Sequence, residues 1–283
     1  FMIGRLKEAM EVVDSAVLEW IDILKSNKLL ENRSAFSNIL NIRATILCRW
    51  GKFEEASDLF DQIILLKEGI NAESPETVPE QDIIGIQLNR ALALGYAGKN
   101  EQALTLNQWV VREMEHLINV EGKKNWFNEL ARTQMNICGI YLRMNEPEKA
   151  KEPILEAVKI REMLTHEMGR HDLRFDLAMV YSYAGNVYHA LSKPLQALDY
   201  IERSLTVFRL ILKRETPGEL IAHNAMIELD KARVLQTLGN PVEARQLARE
   251  ALPVLKVAAY ESGVRLYIDG YEEAAKDFED IYD

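Results

Sequence analysis

Gly98-Lys99-Asn100-Glu101-Gln102-Ala103 stands between two apolar-periodic segments, 83–97 and 103–117. A glycine five residues ahead of an alanine recurs at Gly4/Ala9, Gly51/Ala56 and Gly239/Ala244. The same element, with the glycine replaced, stands at Asn145/Ala150 and Ser192/Ala197. The alanines fall at 9, 56, 103, 150, 197 and 244, so every interval is 47 residues. A fixed period of that size marks a stacked array in which each unit touches only its neighbours. The 283-residue chain amounts to about six such units, so its length does not require separate globular domains.

Other columns acquire meaning in this frame. Ahead of each turn alanine, on the preceding segment, stands Ala44, Ala91, Cys138, Gly185 or Ala232, all small. Three residues further on comes Leu47, Leu94, Tyr141, Tyr188 or Leu235, a large apolar knob. Small residues on two facing helices allow close approach at the crossing. Gly, Asn or Ser at the turn suits a residue that closes a helix with φ > 0. Pro147, Pro194 and Pro241 each follow the turn residue by two and open the next helix, where a missing N–H costs nothing. No segment alternates with period two for long enough to predict a strand.

Small at the crossing, large beside it, glycine at the turn and alanine after it: in this pattern the chain resembles the tetratricopeptide repeat family along essentially its whole length. Leu92–Ala103 is a good single match, as is Ala184–Ala197. The resemblance implies an all-α, right-handed superhelical solenoid of antiparallel helix pairs. The expectation is one solenoid domain over 1–283, with full units near 34–68, 82–120, 126–167, 172–213 and 218–259. A half-unit helix at 5–25 precedes them and a capping helix at 264–281 follows. The family's usual unit is about 34 residues, and its closing proline is absent here, so the second helices are predicted to run on. The segment 68–81, with Pro75 and Pro79, reads as a surface loop. Glu279 replaces the small column in the last row, and with Asp277, Asp280 and Asp283 it makes that helix polar on one side, as an end cap requires.

Composition excludes several classes. The net charge of −10 argues against binding nucleic acid, which rests on neutralising phosphates, and against docking on an anionic membrane. No apolar run is long enough to span a bilayer. Cys48 and Cys138 sit in apolar helical contexts and read as packed thiols in a reducing, cytoplasmic setting. His166-Glu167-Met168-Gly169-Arg170-His171 looks like a zinc-binding helix, but its histidines are five apart rather than four and Gly169 interrupts. Phosphate loops, nucleophile elbows and paired-cysteine spacings are missing, so neither an enzyme, a metal nor a cofactor is expected. The methionines, from Met114 to Met226, read as core filling.

The family resemblance places the first helix of each unit on a concave wall that commonly receives peptides. Spacing nominates Asn89 and Asn136 in one column, continued by Tyr183 and Asp230. Asn41 and Asn186 lie on neighbouring positions of that face, with Arg132, Arg143, His189 and Arg233 within a turn. Asparagine offers one acceptor and two donors and suits a peptide backbone; arginine takes carboxylates in a bidentate grip. The competing reading is that these asparagines cap turns or bond to adjacent helices. The expected function is a scaffold that binds another protein or a peptide. The alternative is the sensor arm of a larger regulator, like a peptide-pheromone receptor or fused to a protease or ATPase. Self-association as a homodimer through terminal helices is a further expectation.

Overall fold

The computed structural model describes residues 4–27, 29–213 and 218–279, with side chains from Leu6 on. Among these residues the chain is helical and holds no strand. Backbone contacts divide it into two compact units, within Met2–Glu113 and Met114–Asp283.

The first unit begins with α1 (Gly4–Ser26), α2 (Leu30–Arg49), α3 (Phe53–Glu73) and α4 (Glu80–Tyr96). The division falls inside α5 (Asn100–Asn119). The second unit continues with α6 (Phe127–Arg143), α7 (Pro147–Glu162), α8 (Arg174–Ala190) and α9 (Pro194–Leu212). It ends with α10 (Gly218–Thr237), α11 (Pro241–Ser262) and α12 (Arg265–Asp277). From α1 to α4 in the first unit, and from α6 to α12 in the second, each helix packs on the next in sequence, so the helices pair as antiparallel hairpins. Asp280 and Asp283, expected on the polar side of α12, lie outside the described residues.

The hairpin turn repeats to the level of single hydrogen bonds. Gly51, Gly98, Asn145, Ser192 and Gly239 all have left-handed backbones, with φ between 57° and 81°. In each, the next amide donates back to the carbonyl of the large knob: Lys52 to Leu47, Lys99 to Leu94, Glu146 to Tyr141, Lys193 to Tyr188 and Asn240 to Leu235, at 2.8–2.9 Å. That is the Schellman closure, which satisfies a carbonyl the helix leaves over. Pro147, Pro194 and Pro241 then open their helices as predicted. The small column Ala44, Ala91, Cys138 and Ala232 is fully buried, as are the turn alanines from Ala56 to Ala244. At Gly185 a Cβ would lie 2.6 Å from Ile201 Cγ1 and 3.2 Å from the Ala197 carbonyl, so this crossing has no room for alanine.

A second turn column links the repeats and escaped the sequence reading. Gly122, Gly169 and Gly263 sit in the same 47-residue register, all with left-handed φ near 62–69°. Each is followed by a buried anchor, Trp126, Leu173 or Tyr267. The expected loop after α3 is also shorter than its prolines suggested. α3 runs on to Glu73, held by the buried Ile70, and Pro79 caps α4. The short remainder is pinned by Asn71, whose side chain donates to the Val78 carbonyl and accepts from its amide. Met168 departs from the core-filling expectation, being half exposed beside Gly169.

Ion pairs mark where a second helix meets the next first helix. Asp14–Arg43, Asp61–Arg90 and Glu202–Lys231 join α1 to α2, α3 to α4 and α9 to α10, at 2.6–2.7 Å. All three occupy the same pair of repeat positions, so α1 is a second helix by its contacts as well as by Ala9.

Candidate functional site

Consecutive first helices touch one another, α2 with α4 in one unit and α6, α8, α10 and α12 in the other. The nominated residues therefore fall on two walls. Asn41 and Asn89 lie on α2 and α4; Arg132, Asn136, Arg143, Tyr183, Asn186, His189 and Arg233 lie on α6, α8 and α10.

On the first wall Asn41 is largely buried and its Oδ1 has no hydrogen-bond partner among the described residues. A shielded carbonyl without a donor is an unmet acceptor. Asn89 is partly exposed and makes no hydrogen bond to the described residues.

The second wall is engaged in two different ways. Towards α12 its polar residues bind one another. Asn186 Nδ2 donates to Asp230 Oδ2 at 3.1 Å, and Arg233 Nη1 donates to Asp230 Oδ1 at 2.8 Å. Arg233 Nε donates to Asp277 Oδ2 at 2.6 Å, with Glu273 at 3.8 Å. This chain ties α8 to α10 and α10 to α12. Burial pushes the Asp230 carboxyl above the ordinary carboxylate range, while Arg233 and the Asn186 hydrogen bond pull it back. His189 Nε2 shares a hydrogen bond with Thr237 Oγ1 at 2.8 Å, and that hydroxyl also reaches the Arg233 carbonyl at 3.1 Å. Burial, and secondarily Arg233, hold that imidazole below its usual range against the opposing pull of Asp230.

Towards α6 the wall is more open. Arg132 pairs with Glu129 at 2.6 Å, while its Nε finds no partner. Asn136 is partly exposed and makes no hydrogen bond to the described residues. Gly139 makes space: a Cβ there would lie 3.4 Å from Tyr183 Cε1 and 3.5 Å from Arg143 Nη1, so those side chains converge over its backbone. Nominated residues thus separate into Asn186, His189 and Arg233, which bond helix to helix, and Asn89 and Asn136, whose amides remain available. Asn41 has an unmet, shielded acceptor.

Sequence reasoning missed Asp277, Glu273, Thr237 and Gly139. Asp277 was legible, since it stands one 47-residue repeat beyond Asp230. Gly139 likewise occupies the Asn186 column one repeat earlier. Cys138 is buried and Cys48 partly so, and burial pushes both thiols up to about 12, which keeps them protonated. Among the described residues no three metal-ligating side chains cluster, and no helix is long and apolar enough to cross a membrane.

No protein-family model matches the chain, and no curated protein sequence matches it. Solved structures do. The chain is similar to BtubC (BKLC) from P. vanneervenii, with a TM-score of 0.62 at 15% identity over 90% of this chain and 92% of that one. It is similar to the apo quorum sensor NprR from B. thuringiensis, with a TM-score of 0.63 at 18% identity over 97% of this chain and 68% of that one. NprR in complex with its cognate peptide NprX matches with a TM-score of 0.58 at 17% identity, over 96% of this chain and 71% of that one. A putative kinesin light chain from Podosopora anserina with nearly identical TPR-like repeats matches with a TM-score of 0.53 at 17% identity, over 80% of this chain and 97% of that one. The fold is TPR-like.

Proposed function

We propose that the protein is a non-enzymatic interaction scaffold in which the first-helix wall of each unit receives an extended segment of another protein. Asn89 on the first wall and Asn136 on the second each offer an amide to a peptide backbone. The observation that carries this reading is that these two asparagines share one repeat column, point partly to solvent and satisfy none of their hydrogen-bonding capacity within the described residues. An exposed asparagine loses little in water, so the gain comes only when a peptide amide displaces that water. Asn41 is a secondary contact on the first wall, and Arg132, Arg143 and Tyr183 are secondary contacts on the second. Asn186, His189 and Arg233 serve to set the spacing of α8, α10 and α12. Binding of a peptide to a protein of the same fold, as named for NprR with NprX, supports the reading. The charge of −10 supports a protein rather than a nucleic acid or an anionic membrane as the partner.

The test is a selection of peptides from a random display library on the full chain, followed by titration of the selected peptides. Asn89→Ala and Asn136→Ala together are expected to weaken binding at least about tenfold, on the order of 1.4 kcal/mol. Unchanged affinity would remove both residues from the site. A second reading, a sensor arm of a larger regulator, draws support from coverage: the chain matches 68% of NprR, which has further residues of its own. A peptide-pheromone receptor, or a fusion to a protease or ATPase, would have that layout.

A further inference from the structure

The repeat register makes the first helices of the second unit comparable position by position, and their charge changes from one to the next. α6 carries Arg132, Asn136, Gly139 and Arg143 at spacings of four, three and four, which keeps them in one stripe. The same columns hold no charge on α8 and one of each sign, Asp230 and Arg233, on α10. Among the described residues of α12 they hold two acids, Glu273 and Asp277. Contacts between helices set these stripes side by side on one wall. Tyr183 lies over the Gly139 backbone, Asn186 bonds to Asp230, and Arg233 reaches Asp277 and Glu273.

The wall thus has a basic end and an acidic end, and neighbouring side chains do not cancel either one. At α6, Glu129 pairs with Arg132, yet the Arg132 side chain is 40% exposed and its Nε still has no acceptor. At α12, the single guanidinium of Arg233 serves three carboxylates, Asp230, Asp277 and Glu273, and the Glu273 side chain is 73% exposed. From α6 through α8 and α10 to α12, each step between packed helices is about 8–10 Å. An extended chain rising about 3.3 Å per residue crosses those steps in about eight residues. Resting on the reading of this wall as a peptide site, we propose that its ligand is an extended segment whose charges are segregated. A run of acidic residues lies against α6 and, about eight residues along, a run of basic residues lies against α12. A uniformly acidic or uniformly basic segment meets repulsion at one end, so the wall selects the order of charge rather than its sum.

Synthetic peptides of one composition test this on the full chain by fluorescence anisotropy. Two carry a block of aspartates and a block of lysines, about eight residues apart centre to centre, in the two possible orders. A third interleaves the same residues. At low salt at least one block order is expected to bind about fivefold tighter or more than the interleaved peptide, a preference that fades as salt rises. The order that binds tighter gives the direction of the bound chain. Arg132→Gln with Arg143→Gln should bring block and interleaved peptides within about twofold of each other. Glu273→Gln should narrow the gap from the other end, with the circular dichroism of both variants unchanged. The proposal is overturned if no peptide binds, if the interleaved peptide binds as tightly as both block peptides, or if both variants keep the preference of the parent. Sedimentation showing self-association that the arginine variant abolishes would overturn it too, since a second copy would then be the occupant. Library-selected peptides that need Asn136 but carry unsegregated charge would overturn this proposal and leave the peptide-site reading standing. A block preference that survives Asn136→Ala would remove that asparagine and keep the charge order.

Discussion

Arg161 is 2% exposed in a column that elsewhere holds Lys67, Met114, Phe208 and Leu255. Its guanidinium donates to Asn128 Oδ1 and sits 3.9 Å from Asp176, while its Nε has no partner. Lys67 repeats the arrangement with Asp82 at 3.3 Å, so two rows keep a cation where the other four, Trp20 included, keep an apolar side chain. Desolvation of a buried charge offsets most of what its partners return, and a well-packed apolar replacement is often neutral or stabilising. Arg161→Met, matching the residue one repeat earlier, is therefore expected to leave stability unchanged or raise it by about 1 kcal/mol or more. Asn128→Ala should lower it by about 1–3 kcal/mol by leaving the guanidinium short of an acceptor. Urea unfolding of both variants checks the pair; a large loss in Arg161→Met would show that the cation is needed for folding. These buried cations were not legible in the sequence. A lysine or arginine at helical spacing looks like any solvated side chain until the neighbouring helix is in place.

At the scale of the element, the hairpin turn was the most legible feature. Its chemistry is local: one residue with positive φ, a carbonyl accepting five residues back, and an alanine at the next crossing. Asn145 and Ser192 adopt φ of 57° where three other repeats use glycine. A left-handed backbone strains any residue with a Cβ by about 1–2 kcal/mol. Ser192→Gly is expected to hold or raise the melting temperature, and Gly98→Ala to lower stability by about 1–2 kcal/mol. Thermal melts of the two variants compare them directly; a gain in Gly98→Ala would contradict the turn assignment. Less legible were the inter-repeat turns at Gly122, Gly169 and Gly263, because the other three rows carry Lys28, Pro75 and Thr216 at that column. The ion pairs such as Asp61–Arg90 were hidden for the same reason, since Gln108/Ile137 and Leu155/Ala184 fill those positions in two rows. Of the candidate site, sequence placed the asparagines on the first helices. It did not show that Asn186 and Arg233 are already held by Asp230, because a hydrogen bond between neighbouring helices depends on their lateral offset rather than on spacing along one of them.

At the scale of the molecule, the account holds that hairpins of 47 residues are interchangeable units, each stabilised by itself and its immediate neighbours. Removal of Pro147–Lys193 tests this most directly. The cut takes out α7 and α8, joins Glu146 to Pro194 and leaves a turn residue, Asn145, ahead of a helix that opens with proline. The measurement is far-ultraviolet circular dichroism of the shortened chain followed through a thermal melt. The account predicts unchanged helicity per residue and a single cooperative transition, shifted down by only a few degrees, since one unit and one interface have been lost. A chain that loses its helical signal, or melts without cooperativity, would contradict it.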